Sequence, residues 1–254
     1  MSYNQSFSRI VNILNTLRSE CPWDKKQTIN TLRQLTIEEI YELADAISKN
    51  DWPGIKEELG DILLHIIFYA KIAEEKKEFT LGDVIESVCN KLVNRHPHIY
   101  TFLKVNDDKE VKQNWENIKL KEGKESILSG VPSALPAMVK ALRLQEKSAQ
   151  VGFEWRDIKD VKTKILEEID ELQEVINENN QEEIEKEFGD VLFSLINYAR
   201  YLNIDPEHAL SLTNNKFKQR FELMEKKLTA NNKQLTDYSL ETMDSIWNEI
   251  KKNG

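Results

Sequence analysis

Five acids occur twice in this chain at one fixed spacing. Glu38-Glu39-Ile-Tyr-Glu42 followed by Glu58-Leu-Gly-Asp61 recurs as Glu167-Glu168-Ile-Asp-Glu171 followed by Glu187-Phe-Gly-Asp190, each acid 129 residues from its counterpart. Helix periodicity places Glu168 and Glu171 on one face and Glu187 and Asp190 on another. The fifteen residues between the two groups contain the polar run Asn177-Glu-Asn-Asn-Gln181, enough to end one helix, turn, and begin its antiparallel neighbour. Two carboxylate pairs then face each other. Like charges so gathered repel unless water or a cation screens them, and hard oxygen ligands in that number suit Mg2+ or Mn2+.

The repeat extends beyond the acids. Asn90-Lys91-Leu-Val-Asn-Arg95 echoes Asn215-Lys216-Phe-Lys-Gln-Arg220, and Trp115-Glu-Asn-Ile-Lys119 echoes Trp247-Asn-Glu-Ile-Lys251. About half the chain is therefore an internal duplication. A length of 254 residues with 40% hydrophobic content supports two cores. Residues 121–136, rich in Gly, Ser and Pro, predict a linker between domains at 1–120 and 137–254.

No segment alternates as a strand does, so the expected class is all-α, two tandem helical bundles. Phe7, Ile10, Val11, Leu14 and Leu17 predict a helix over 5–18 that ends at Cys21-Pro22-Trp23-Asp24. Thr36 with Glu39 reads as a capping box opening the next helix, which runs to about Ser48. The segments Ile62–Ala73 and Val191–Leu202 are apolar nearly all round and are expected at the two centres, the first following a turn at Asn50–Gly54 with Pro53 in the first helical turn, the second opened by Glu187-Phe-Gly-Asp190. Gly60 and Gly189 cost about 1 kcal/mol inside a helix, which implies a close neighbouring backbone or ligand. Thr80 with Asp83, and Asp205 before Pro206, are the expected starts of the helices bearing Lys91 and Arg95, and Lys216 and Arg220. His96 and His98 are expected to pack around the proline turn.

Composition narrows the partners. A net charge of -9 argues against binding a nucleic-acid polymer, which needs an excess of Lys and Arg. Cys21 and Cys89 fit neither a disulfide framework nor a zinc spacing, the start lacks a signal-peptide core, and no segment is long enough to cross a bilayer, so the expected location is cytoplasmic. The acids match neither an EF-hand loop nor a Glu-x-x-His di-iron pair. Lys216 and Arg220, one turn apart, are suited to holding phosphate oxygens, and Trp247 offers a flat surface for a base. The first half repeats these as Lys91, Arg95 and Trp115.

With EEIDE and EFGD, EEIYE and ELGD, and the segments CPWDKKQT, RHPHIY, VGFEW and LETM, the chain resembles the MazG nucleoside triphosphate pyrophosphohydrolases over nearly its whole length. The resemblance implies that Glu168, Glu171, Glu187 and Asp190 hold Mg2+, that a nucleoside triphosphate is cleaved to monophosphate and pyrophosphate, and that the protein is a homodimer. Many relatives carry two glutamates before the xGD, as Glu57-Glu58 does here, whereas Lys186 replaces the first in the second half. Attack at the α-phosphorus needs an activated water and a base. Glu167, one turn from Glu171 and outside that ligand set, is assigned as the base. The competing reading is a non-catalytic helical module that binds nucleotides or a protein through its acidic face.

The resemblance implies that the second half is the working one. In the first, Pro97 directly follows Arg95-His96 and ends the basic helix, where the second continues through Phe221 and Met224. Asp190→Asn is therefore expected to abolish pyrophosphate release while leaving the protein folded, and Asp61→Asn to leave most of it. Comparable losses in two folded variants would contradict this assignment.

Overall fold

The structure, a computed structural model, describes residues 2–101, 107, 110–111, 114–115, 118, 126–229 and 234–253. Among the described residues there is no strand. The chain divides into two compact units, Met1–Trp115 and Glu116–Gly254.

The first unit contains α1 (Tyr3–Glu20), α2 (Ile29–Ser48), α3 (Trp52–Glu75), α4 (Leu81–Arg95) and the short α5 (Pro97–Tyr100). Helix α3 packs against α1, α2 and α4. Leu14, Leu32, Ile67, Phe68 and Ile72 form the core, each no more than 3% exposed. Thr80 and Asp83 make the expected capping box at the start of α4. Thr36 does not cap a helix. Helix α2 begins two turns earlier, at a capping pair of Thr28 and Thr31, and Thr36 lies inside it, its hydroxyl bonded to Leu32 O at 2.9 Å and the Tyr69 hydroxyl at 2.8 Å. Threonine satisfies its hydroxyl within a helix by returning to the carbonyl four residues back, so the T-x-x-E pattern alone does not mark a start.

Arg18 fixes the loop between α1 and α2. Its guanidinium donates to the Asp24 carbonyl and, at 3.0 Å, to that of Gln27, and pairs with Glu75 on α3 at 2.8 Å. A planar fork with five donors joins three segments here that a lysine would not span.

The second unit contains a short 3-10 turn (Ile127–Gly130), α6 (Ala137–Ala149), α7 (Ile158–Glu178), α8 (Gln181–Tyr201), α9 (Pro206–Thr229) and α10 (Leu240–Asn253). Of the expected linker, residues 121–125 lie outside the described residues, and the 3-10 turn packs on α6. Helix α8 takes the central place, against α6, α7 and α9. Val161, Ile165, Val191, Ile196, Met224 and Leu228 are buried. Asp205 caps α9 as expected, accepting from the backbone of Glu207 and His208.

Two expectations are corrected along the central helices. Glu187-Phe-Gly-Asp190 does not open its helix: α8 begins six residues before Glu187, at Gln181, because Asn180 supplies the cap, while α3 begins at Trp52 with Pro53 in its first turn, as expected. Nor are these helices buried all round. Helix α3 exposes Leu59, Leu63 and Ile66, and α8 exposes Phe188, Leu192 and Leu195, one stripe in each at matching positions of the repeat. Of the close neighbours expected at Gly60 and Gly189, a backbone is not there, since a side-chain carbon built at either meets no protein atom within 4 Å. Both glycines face open space beside the acids.

Leu14→Ala is expected to destabilise the first unit by about 2–5 kcal/mol, the range for emptying a fully packed leucine site. Urea unfolding followed by tryptophan fluorescence measures it, and a loss below about 1 kcal/mol would contradict the packing described.

Candidate active site

Each acid group lies on a helical hairpin closed by a tight turn. In the second half Asn179 takes a left-handed φ of 57° to end α7, and Asn180 immediately caps α8. Asparagine accepts the left-handed region at low cost, so a two-residue connection suffices. The hairpin brings together oxygens of Glu168, Glu171 and Glu187, all within 4.8 Å of one another. Asp190, one turn beyond Glu187, is exposed and outside this group.

Lys164 is the residue that sequence reasoning missed. One turn before the acids on α7, its ammonium pairs with Glu167 at 2.7 Å and Glu168 at 2.9 Å. These two carboxylates push the lysine up, out of its ordinary range. Glu168 is only 7% exposed and keeps its charge compensated. The signal was available, because a lysine three and four residues before two glutamates shares their helix face. Glu171 titrates above its ordinary value, through desolvation and through the charges of Glu168, Glu167 and Glu187, with Lys164 opposing.

The first half gathers Glu39, Glu58 and Asp61 in the same way, while Glu38 and Glu42 are exposed and outside the group. The place of Lys164 is taken there by Leu35, 129 residues earlier. Glu39 and Glu58 are hydrogen-bonded to each other, and both are raised above the ordinary glutamate range. Burial is the first cause in each; the charge of Asp61 adds to it at Glu39, and the bond to Glu39 adds to it at Glu58. One turn after Asp61, His65 is buried and its ring is held below the usual histidine range by desolvation, opposed by Asp61.

The basic residues lie on other helices. Lys216 and Arg220 are on α9, which packs against α8, and among the described residues neither is ion-paired. Trp247 on α10 packs against Phe217, ring centres 5.2 Å apart, and so holds the basic turn from behind. In the first half Lys91 is exposed on α4, and Arg95 lies over Trp115 at 5.6 Å. His96 packs between Trp115 and His98, as expected of the proline turn.

A pocket of about 610 Å³ opens beside the second acid group, with Glu168 and Lys164 in its wall. Phe153, Trp155 and Phe193 supply aromatic surface. Gly152, at a φ of +82°, turns the chain out of α6 into this wall. Two ties to α8 hold the loop: Arg200 to Glu154 at 3.0 Å, and the Tyr201 hydroxyl to the Trp155 carbonyl.

The description "MazG nucleotide pyrophosphohydrolase domain" matches the chain twice, over residues 27–100 and 156–223. The chain belongs to the MazG family. Over 256 residues it is 38% identical to the nucleoside triphosphate pyrophosphohydrolase of Escherichia coli K12, covering 96% of each chain. It is 41% identical over 250 residues to the nucleoside triphosphate pyrophosphohydrolase/pyrophosphatase MazG of Thermotoga maritima, covering 96% of this chain and 95% of that one. Bacillus subtilis YabN is 45% identical over 252 residues, which span 97% of this chain and 52% of that longer protein. Each MazG match contains one acidic hairpin and its basic turn. Trp115 and Trp247, and the pocket wall up to Trp155, lie outside the matches.

The raised MazG acids of the first half carry a sign. Glu39 and Glu58 hold protons to higher pH when folded than when unfolded, so the folded state binds more protons and its stability falls as pH rises through their raised values. In EDTA, raising the pH from about 4 to about 7 is expected to lower the melting temperature more in wild type than in Glu58→Gln. Parallel melting curves would contradict the raised values.

Proposed function

We propose that this chain hydrolyses nucleoside triphosphates, ribo- or deoxyribo-, to monophosphate and pyrophosphate, and that it does so with Mg2+, or Mn2+, at the second acid group. The observation that carries the reading is the meeting of Glu168, Glu171 and Glu187 within 4.8 Å beside an aromatic pocket, in a chain of this family. Three carboxylates on one side of a cleft are a donor set of hard oxygens, and the group fits Mg2+ on that ground. Glu168, Glu171 and Glu187 would hold the ion, with Asp190, one turn further along α8, completing the set. When bound, Mg2+ supplies charge neutralisation on the triphosphate and a more acidic water.

The chain's own residues account for the remainder. Glu167 accepts a proton from the attacking water, and Lys164, paired to it at 2.7 Å, fixes the direction of its carboxylate. Lys216 and Arg220 bind phosphate oxygens as a point charge and a planar fork, and the packing of Trp247 on Phe217 limits their freedom. In the first half the corresponding acids meet with Leu35 in place of the lysine, which supports a role in dimerisation or regulation over a catalytic one.

A homodimer belongs to the same proposal. The stripes Leu59, Leu63, Ile66 and Phe188, Leu192, Leu195 are exposed beside Ile37, Ile40 and Leu166, Ile169 on the partner helices of each hairpin. Apolar faces of this extent on a helical pair are stable when another pair covers them, and a second copy of the chain supplies one.

In 18O-labelled water with Mg2+, label is expected in the nucleoside monophosphate, with pyrophosphate as the other product and no turnover in EDTA. Label in orthophosphate alone would mean cleavage at the γ-phosphorus. No turnover of any nucleotide, with Mg2+ or Mn2+, would favour a non-catalytic binding module.

A further inference from the structure

We infer that Lys164 sets which cation the second acid group accepts: by holding one oxygen of Glu168 it leaves that carboxylate a single oxygen to give, which favours Mg2+ over the larger Ca2+. The inference rests on the reading of that group as a cation site and adds to it a positioning residue, outside the ligand set, that decides selectivity.

Lys164 lies on α7 one turn before the acids, and its ammonium is held from two sides. It pairs with Oε1 of Glu167 at 2.7 Å and with Oε1 of Glu168 at 2.9 Å. Steps of three and four residues along one helix bring these side chains to the same face. The Glu167 side chain is half-exposed and outside the ligand set, so its tie to the ammonium does not depend on an ion. Glu168 differs, its side chain being only 9% exposed. It has little room to exchange the ammonium for water, and parting a buried charge pair is costly. A carboxylate binds a metal through one oxygen or through both. With Oε1 on the ammonium, Glu168 has one oxygen left for an ion of the group it forms with Glu171 and Glu187. Ca2+ takes about six to eight oxygens and uses bidentate carboxylates to reach that number, whereas Mg2+ is smaller, holds to an octahedron and keeps several of its waters. Restricting a ligand to one oxygen therefore costs Ca2+ more than Mg2+. The first half supplies the contrast within the same chain. Leu35 stands where Lys164 does, and Glu39, the counterpart of Glu168, is hydrogen-bonded to Glu58 instead. That hairpin folds with leucine in the place of the lysine.

The test is calorimetric titration of Mg2+ and of Ca2+ without nucleotide, in the full chain carrying Glu39→Gln/Glu58→Gln so that the second half is read by itself. Both ions carry the same charge, so removing the ammonium's repulsion strengthens both alike and cancels in the ratio of their affinities. In Lys164→Leu the ratio of Ca2+ to Mg2+ affinity is expected to rise about tenfold, because Glu168 is then free to bind through both oxygens. In Lys164→Arg, which keeps a cationic donor for Oε1, the ratio is expected to stay near that of the parent. Circular dichroism checks folding, and Lys164→Met carries the same expectation if Lys164→Leu does not fold. An unchanged ratio in the folded leucine or methionine variant overturns the inference. An equal rise in Lys164→Arg also overturns it, since the hold on Oε1 is then not what selects. If the parent binds neither ion, the cation reading of the acid group fails first and this one with it.

Discussion

The arrangement of this molecule depends on forcing like charges together. Two antiparallel helices joined by a two-residue turn place Glu168 and Glu171 against Glu187, and nothing in helix packing favours carboxylates at such a seam. The seam is held closed by what lies around it: Val161, Ile165 and Val191 buried on the same two helices, and Lys164 paired to Glu167 and Glu168. Apolar packing supplies the stability, and the acids draw on it. A site of this kind is destabilising when empty and is relieved by a cation.

Duplication gave the chain two such seams, and they differ at the position of Lys164. Leu35 stands where Lys164 stands in the second half: in the first seam burial raises Glu39 and Glu58 above the ordinary glutamate range, and in the second an ammonium pairs with Glu167 and Glu168. Acids that hold protons to higher pH make a cation compete with those protons for its place, whereas an ammonium can move aside and remain nearby as a positive group. The two halves therefore have different chemistry even though their acids match position for position.

Much of this was legible in the sequence because helices write their geometry as spacing. Three-residue steps placed the acids on faces, the Asn-rich run marked the turn at Asn179 and Asn180, and Asp205-Pro206 marked the start of α9. Where reading failed, the cause was a local pattern with two physical meanings. Thr36 and Glu39 satisfy the capping spacing equally well inside a helix whose true cap is Thr28. The apolar runs of α3 and α8 read as burial, but Leu63 and Leu192 are exposed: one chain covers only part of what the sequence prepares to be covered. Lys164 was visible and passed over. The bond of Gln145 to the Phe193 carbonyl, 48 residues away, was not readable, because spacing along one helix does not encode it.

Calorimetric titration of Mg2+ into the protein, with Glu168→Gln/Glu171→Gln and Glu39→Gln/Glu58→Gln compared with wild type, tests the cation account most directly. The account predicts that wild type binds Mg2+ and that the first variant loses the tighter binding. It also predicts that binding to the first half, where Glu39 and Glu58 hold protons to higher pH, strengthens with rising pH and is missing in the second variant. Unchanged Mg2+ binding in Glu168→Gln/Glu171→Gln, with the variant folded, would contradict it.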